Sequence, residues 1–155
     1  MRVIPFFFFL ISFIAFNQSS MSLLFIGDIM GHGSQIKAAF DDQKRSHNYD
    51  AVFTHLNKTI SKADFAIANL EVTLAGPPYS GYPQFSSPDA LAEACKTSGI
   101  DVLVTSNNHS CDRGGKGIKR TIEVLDRLQI PHNGTYYNPI DRKLRNLLIL
   151  RKEDL

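Results

Sequence analysis

The chain has 155 residues, of which 43% are hydrophobic and 21% are charged, and its formal net charge is +2. A chain of this length can form one domain with a hydrophobic core, so its folding needs neither a disulfide framework nor a structural metal. The composition is ordinary for a globular protein, and a nearly neutral chain without a basic face argues against nucleic acid as a partner.

Residues 1–20 differ in composition from the remainder of the chain. Arg2 is their only charged residue, residues 5–16 are almost all apolar, and residues 17–20 are polar. This order is typical of a secretory signal peptide, so we predict an exported protein of the periplasm or cell surface. The alternative is an uncleaved membrane anchor, although the apolar run is shorter than the roughly 20 residues that cross a bilayer. The folded domain is then expected over residues 21–155.

Short apolar runs alternate with helical patterns along this domain. Strands are predicted at residues 22–26, 64–71 and 101–105, with a shorter one to which residues 129–134 lead and another at 147–150. Helices are predicted at residues 35–40, 49–60, 88–97 and 117–128. Residues 41–48 are expected to be exposed, and residues 73–87, rich in proline and glycine, to form an irregular loop that faces substrate. Alternating strands and helices predict an α/β fold with a parallel sheet.

The two cysteines, Cys95 and Cys111, lack the spacing of a metal or redox motif. A structural disulfide and two free thiols are both compatible with the sequence. We assign no function to either cysteine.

Polar side chains follow each of the three main predicted strands. They are Asp28 and His32 after the first strand, Asn69 and Glu71 after the second, and Asn107, Asn108 and His109 after the third. Because the carboxyl ends of parallel strands meet in one crevice, we expect these side chains to converge. Carboxylates, amide oxygens and imidazole nitrogens together suit Mn, Zn or Fe better than calcium. One ion fits this set, and so does a pair about 3.5–4 Å apart that would promote phosphoester hydrolysis.

Each of these residues, taken alone, also has a structural explanation. A single Asp after a strand often caps a turn or a helix, and Asn-Asn is a common turn pair. The repetition at three strand ends favours a functional site. The alternative is an α/β binding domain in which the polar residues are caps and turns.

Three motifs give the chain a family resemblance. They are Gly-Asp-Ile-Met at 27–30, Ala-Asn-Leu-Glu at 68–71 and Ser-Asn-Asn-His at 106–109, followed by Asp112, Gly114, Gly117, Thr121, Leu125 and Gly134. In order and spacing they resemble the bacterial capsule-synthesis (CapA-like) poly-γ-glutamate proteins, a family similar to the calcineurin-like metallophosphoesterases. The resemblance implies the amino-terminal half of a metallophosphatase-like αββα sandwich, truncated before the later histidines that complete related metal sites.

The resemblance also implies roles for individual residues. Asp28 matches the first metal-binding aspartate, and Glu71 stands where the superfamily has its bridging aspartate. Asn108 matches the ligand asparagine, and His109 matches the histidine that assists the leaving group or the phosphate.

One family position differs in this sequence. Met30 occupies the place of a metal-binding histidine, for which His32 is the candidate substitute. Asn69 and Asn107 are further candidates for the metal site.

The function implied by the resemblance is capsule biosynthesis. The intact form would be a metal-dependent phosphoesterase or hydrolase acting on an anionic polymer or a phosphoester. The alternatives are a non-catalytic scaffold or polymer-binding subunit, working with other membrane proteins of a capsule-export assembly, and an inactive fragment.

Overall fold

A computed structural model describes residues 20–152 of the chain. Its strands are β1 (Leu23–Ile29), β2 (Phe40–Asp41), β3 (Ser46–His47), β4 (Phe65–Leu70), β5 (Val102–Val104) and β6 (His132–Asn133). Its helices are α1 (Gly33–Ala38), α2 (Asp50–Phe53), α3 (Asn57–Ile60), α4 (Ala90–Thr97), α5 (Gly114–Arg127) and α6 (Pro139–Arg145). None of the helices in this part of the chain is long and apolar enough to cross a membrane. The predicted signal peptide or anchor lies outside the described residues, apart from Ser20.

Four strands form one parallel sheet in the order β1-β4-β5-β6. This confirms the predicted α/β fold. Strands β2 and β3 form a separate antiparallel hairpin over residues 40–47. It begins at Phe40, which was predicted to end the helix over 35–40, and α1 ends at Ala38 instead. Because β1, β4 and β5 are parallel neighbours, their carboxyl ends lie together along the same side of the sheet, which is called here the carboxyl edge.

The hydrophobic core lies on one face of this sheet. It contains alternate residues of β4 and buried residues of α4 and α5, namely Ala66, Ala68, Leu70, Leu91, Cys95, Val124 and Leu125. On the opposite face, Leu23 and Phe25 of β1 are 51% and 71% exposed. Parallel sheets are normally covered on both faces, so the described residues form a helical layer on a sheet whose other face is open along β1. The second half of the predicted αββα sandwich stays a prediction.

The single helix predicted over residues 49–60 is wrong, because this segment forms the two short helices α2 and α3. The N–H of Leu56 donates to the carbonyl of Phe53 at 2.8 Å. Such a bond between residues three apart is the 3₁₀ pattern, and it interrupts the α-helical ladder. Phe53 and Ile60 are buried, but Val52 is 56% exposed. Only part of the apolar pattern that predicted one helix is therefore buried.

The strand predicted at residues 147–150 is also wrong. Leu147 and Ile149 are exposed and irregular. The neighbouring edge strand β6 has only two residues, so it offers few backbone groups to which a further strand could bond. Instead, the side chain of Asn133 donates to the carbonyls of Arg145 and Asn146 at 3.3 and 3.2 Å.

Both cysteines are free thiols. Cys95 is buried in the core, and this burial raises the pKa of its thiol to about 12. Cys111 is exposed. The structure therefore decides between the two alternatives that the sequence left open.

Candidate functional site

The site begins where β1 and β4 end side by side. The pairing of these strands shifts register between Ile26 and Asp28, so Gly27 has no partner and Asp28 lies directly beside Asn69. An irregularity of this kind changes the direction of the side chains that follow it and is common next to functional sites. Here it places a carboxylate next to the amide of the neighbouring strand.

Asp28 and Glu71 share one hydrogen-bond donor. The Nδ2 atom of Asn69 donates to Oδ1 of Asp28 and to Oε2 of Glu71, at 2.8 Å in each case. Asp28 is exposed and Glu71 is half-buried. Among residues 20–152, no Lys, Arg or His nitrogen lies within 4.0 Å of either carboxylate. Neither carboxylate of the pair therefore has a salt-bridge partner among the described residues.

The loop after β5 contributes Asn107 to the same cluster. Its Nδ2 donates to Oδ1 of Asn69 at 3.0 Å and to the carbonyl of Leu70 at 2.9 Å, and its Oδ1 accepts the N–H of His109 at 3.0 Å. The next residue, Asn108, has an exposed side chain that makes no hydrogen bond within the described part of the chain. The two asparagines of the motif therefore differ, because Asn107 is bonded to the sheet and Asn108 is open to solvent.

His109 is held by a carboxylate from its own turn. Its Nδ1 lies 2.9 Å from Oδ2 of Asp112, and the same oxygen accepts the N–H of Phe85 at 2.7 Å. An ionised carboxylate can only accept hydrogen bonds, so we assign the proton on the neutral ring to Nδ1. This leaves Nε2 of His109 as the nitrogen available to a ligand. The three-residue spacing from His109 to Asp112 is a sequence signal that could have identified this pair.

Phe85 places two histidines near each other. Its ring is fully buried and contacts His109 edge-to-face, with centroids 4.6 Å apart. It also contacts His32 edge-to-face, with centroids 5.2 Å apart. The loop that carries Phe85 approaches α1 so closely that a Cβ on Gly81 would clash with the main-chain nitrogen of Gly33. The structure therefore brings His32 to the border of the site through a residue that the sequence did not single out.

The side chains of the site determine which kind of metal ion they could bind. Within residues 20–152, no three His, Cys, Asp or Glu side chains are grouped so that they could hold a metal ion by themselves. The pair Asp28 and Glu71, gathered by one amide, offers oxygen donors without a basic partner. Such a pair fits a hard or borderline divalent cation whose remaining ligands are amide oxygens and water.

Comparisons with known proteins identify the family of the chain. The family described as bacterial capsule synthesis protein PGA_cap matches residues 22–152, and the chain belongs to this family. Among curated proteins, it is similar to the capsule biosynthesis protein CapA of Bacillus anthracis, with 26% identity over 133 residues. That match covers 82% of this chain and 31% of the relative, so the chain spans about a third of the length of that protein. The family expected from the three motifs is thus confirmed.

Proposed function

We propose that this capsule-synthesis protein binds a divalent cation at Asp28 and Glu71 and uses His109 in the hydrolysis of a phosphoester or a related bond of an anionic polymer. The observation that carries the proposal is the pair of carboxylates on one amide nitrogen, without a basic partner in the described chain. Asn108, exposed on the adjacent loop, is the further ligand that we propose. Mn, Zn and Fe are the cations that this set of residues suits.

The residues of the chain have separate parts in this proposal. Asp28 and Glu71 would hold the cation, whose chemistry when bound is to polarise the reacting oxygen and activate water. Asp112 keeps the proton of neutral His109 on Nδ1, so Nε2 is the atom that holds or passes a proton at the reacting group. Phe85 limits the movement of the His109 ring and shields one side of it from water.

A non-catalytic role uses the same residues. Asp28 is exposed, so a cation on this pair could also bridge to the carboxylates or phosphates of a polymer without any bond being broken. In that case the protein would be a scaffold or polymer-binding subunit that works with membrane proteins of a capsule-export assembly. Turnover distinguishes the two functions.

We also propose that the protein acts at the cell envelope. The relative is named for capsule biosynthesis, and the apolar composition of residues 5–16 is typical of an export signal. Poly-γ-glutamate or another anionic polymer is the substrate class that we propose.

The proposal is tested by phosphoester hydrolysis in the presence of Mn²⁺. His109→Gln is expected to lower the rate by at least about 100-fold, because a positioned acid or base commonly contributes that much. His55→Gln is the matched control, since His55 is exposed and lies outside the site. Binding of Mn²⁺ by the wild-type protein without turnover would support the scaffold. Turnover that His109→Gln leaves unchanged would contradict the proposed role of His109.

A further inference from the structure

Asn69 and Asn107 lie between the two carboxylates and the main chain of the sheet. An asparagine can present either an oxygen, which binds a cation, or an NH₂ group, which donates to carboxylates. Which end faces the carboxylates is fixed by the hydrogen bonds on the other end. The orientation of these two side chains therefore decides whether they are ligands or have another role.

Asn107 is oriented by two main-chain groups. The carbonyl of Leu70 can only accept, so the atom 2.9 Å from it must be Nδ2. The N–H of His109 can only donate, so the atom that it contacts at 3.0 Å must be Oδ1. A reversed Asn107 would bring like ends together at both contacts, and only one orientation satisfies the backbone.

The orientation of Asn107 determines that of Asn69. Nδ2 of Asn107 also donates to Asn69 at 3.0 Å, so the Asn69 atom in this contact must be Oδ1. The Nδ2 atom of Asn69 must then face the carboxylates, with one hydrogen for Asp28 and one for Glu71. Both carboxylates require a donor. The carboxylate contacts and the main-chain contacts of Asn107 therefore give the same orientation of Asn69 independently.

We infer that Asn69 and Asn107 form an amide relay that positions Asp28 and Glu71 for cation binding, and that neither asparagine is itself a ligand. The inference rests on the cation site of the proposed function. The amide relay connects the main chain at His109 to both carboxylates through side-chain hydrogen bonds. It holds two negative groups together without a bound cation and uses only one oxygen of each carboxylate. The second oxygens are left for a ligand.

A ligand role for Asn69 would have a clear cost. Its Oδ1 would have to turn toward the cation, and Nδ2 of Asn69 would then meet Nδ2 of Asn107. Asn107 could relieve that contact only by giving up its bonds to Leu70 and His109. Unpaired groups in a half-buried position are unfavourable, so the amide relay is the arrangement that satisfies every group.

The first test is the affinity for Mn²⁺, measured by calorimetry on Asn69→Ala, Asn107→Ala and the double variant. Removing a group that orients metal ligands typically weakens binding about 10–100-fold, and we expect this for each single variant. Because Asn107 acts through Asn69, the double variant should bind about as weakly as Asn69→Ala alone. Effects that multiply in the double variant, or an Asn107→Ala protein with wild-type affinity, would overturn the inference.

Asn133→Ala is the matched control for folding. Asn133 is the last residue of strand β6 and also donates to two main-chain carbonyls, but it lies outside the amide relay. Its replacement should remove comparable bonds and leave the affinity for Mn²⁺ unchanged. A loss of affinity in Asn133→Ala equal to that in Asn107→Ala would contradict a specific relay.

A second readout needs no metal. In the metal-free protein, the side-chain NH₂ signal of Asn69 in ¹⁵N NMR spectra should exchange slowly with water, and Asn107→Ala should accelerate that exchange. If the wild-type protein binds no Mn²⁺ but shows this behaviour, the proposed function and the role in cation binding both fail, whereas the hydrogen-bonded arrangement of the two asparagines stands. Rapid exchange in the wild-type protein would refute the relay itself.

Discussion

At the residue scale, Asp112 is the side chain on which the geometry of His109 depends most directly. One oxygen of Asp112 accepts both the ring N–H of His109 and the main-chain N–H of Phe85. A single carboxylate therefore joins the β5 loop to the loop of residues 73–87. The sequence indicated this residue only as part of a family motif.

Two substitutions of Asp112 test how much the hydrogen bonds that it accepts contribute to the stability of the protein. Asp112→Ala removes the acceptor and leaves the N–H of Phe85 without a partner, so we expect a loss of about 1–3 kcal/mol in the free energy of unfolding. Asp112→Asn retains an oxygen that can accept both bonds, and most of that stability should remain. Urea unfolding of both variants gives the comparison. Equal stability of Asp112→Ala and the wild-type protein would show that these contacts contribute nothing to the fold.

The sequence predicted which residues lie near the site better than it predicted how they are arranged. Asp28, Glu71 and His109 follow apolar runs, and such runs locate strand ends. The contact of Phe85 with Asp112 and that of Asn69 with Asn107 join segments far apart in the chain. Spacing along one segment carries no information about such contacts. The orientation of the amides was therefore available only from the folded structure.

At the element scale, Asp64 ties the start of β1 to the start of β4 and to the segment after α6. Both the N–H and the hydroxyl of Ser22 donate to one oxygen of Asp64, and Lys152 contacts the other at 2.8 Å. The hydrogen bond from Lys152, followed by those from Ser22, lowers the pKa of Asp64 from 3.8 to about 2. Lys152 is thus held at this end of the sheet although residues 147–150 form no strand.

This lowered pKa predicts a dependence of stability on acidity. A carboxyl group with a lower pKa in the folded state contributes stability above its unfolded pKa, and that stability is lost as the pH falls through the folded pKa. The wild-type protein should therefore lose stability more steeply than Asp64→Asn between pH 3.8 and about 2. Chemical unfolding measured across this interval tests the expectation. If the stability of the two proteins falls equally with pH over this interval, the contacts with Lys152 and Ser22 do not lower the pKa of Asp64.

The elements themselves were predicted unevenly. The long amphipathic pattern that became α5 and the apolar run of β4 each have one period over many residues, and both were placed correctly. The predictions for residues 49–60 and 147–150 were wrong because an apolar pattern does not show where a helix is interrupted or whether a strand finds a partner. A 3₁₀ turn at Leu56 divided the first segment, and the short edge strand β6 gave the second no partner.

At the scale of the whole molecule, the parallel sheet makes one site from three distant parts of the sequence. The neighbouring order of β1, β4 and β5 places Asp28, Glu71 and the β5 loop at the carboxyl edge. The class of fold and this convergence followed from the alternation of strands and helices. The open sheet face, with Phe25 71% exposed, did not follow from it, because the pattern of a strand does not indicate how many layers will cover it.

The central claim, that the carboxyl edge of the sheet binds a divalent cation through Asp28 and Glu71, is tested most directly by calorimetric titration of chelator-treated protein with Mn²⁺. Asp28→Asn and Glu71→Gln should each weaken binding at least about 10-fold, because each removes a charged ligand. Asp101→Asn is the control, since Asp101 bonds to the main chain of Ala66 just before β5, at the opposite edge of the sheet. We predict saturable binding that Asp101→Asn preserves and that the two site variants weaken by at least this factor. Equal binding by all four proteins, or none by the wild type, would contradict the account.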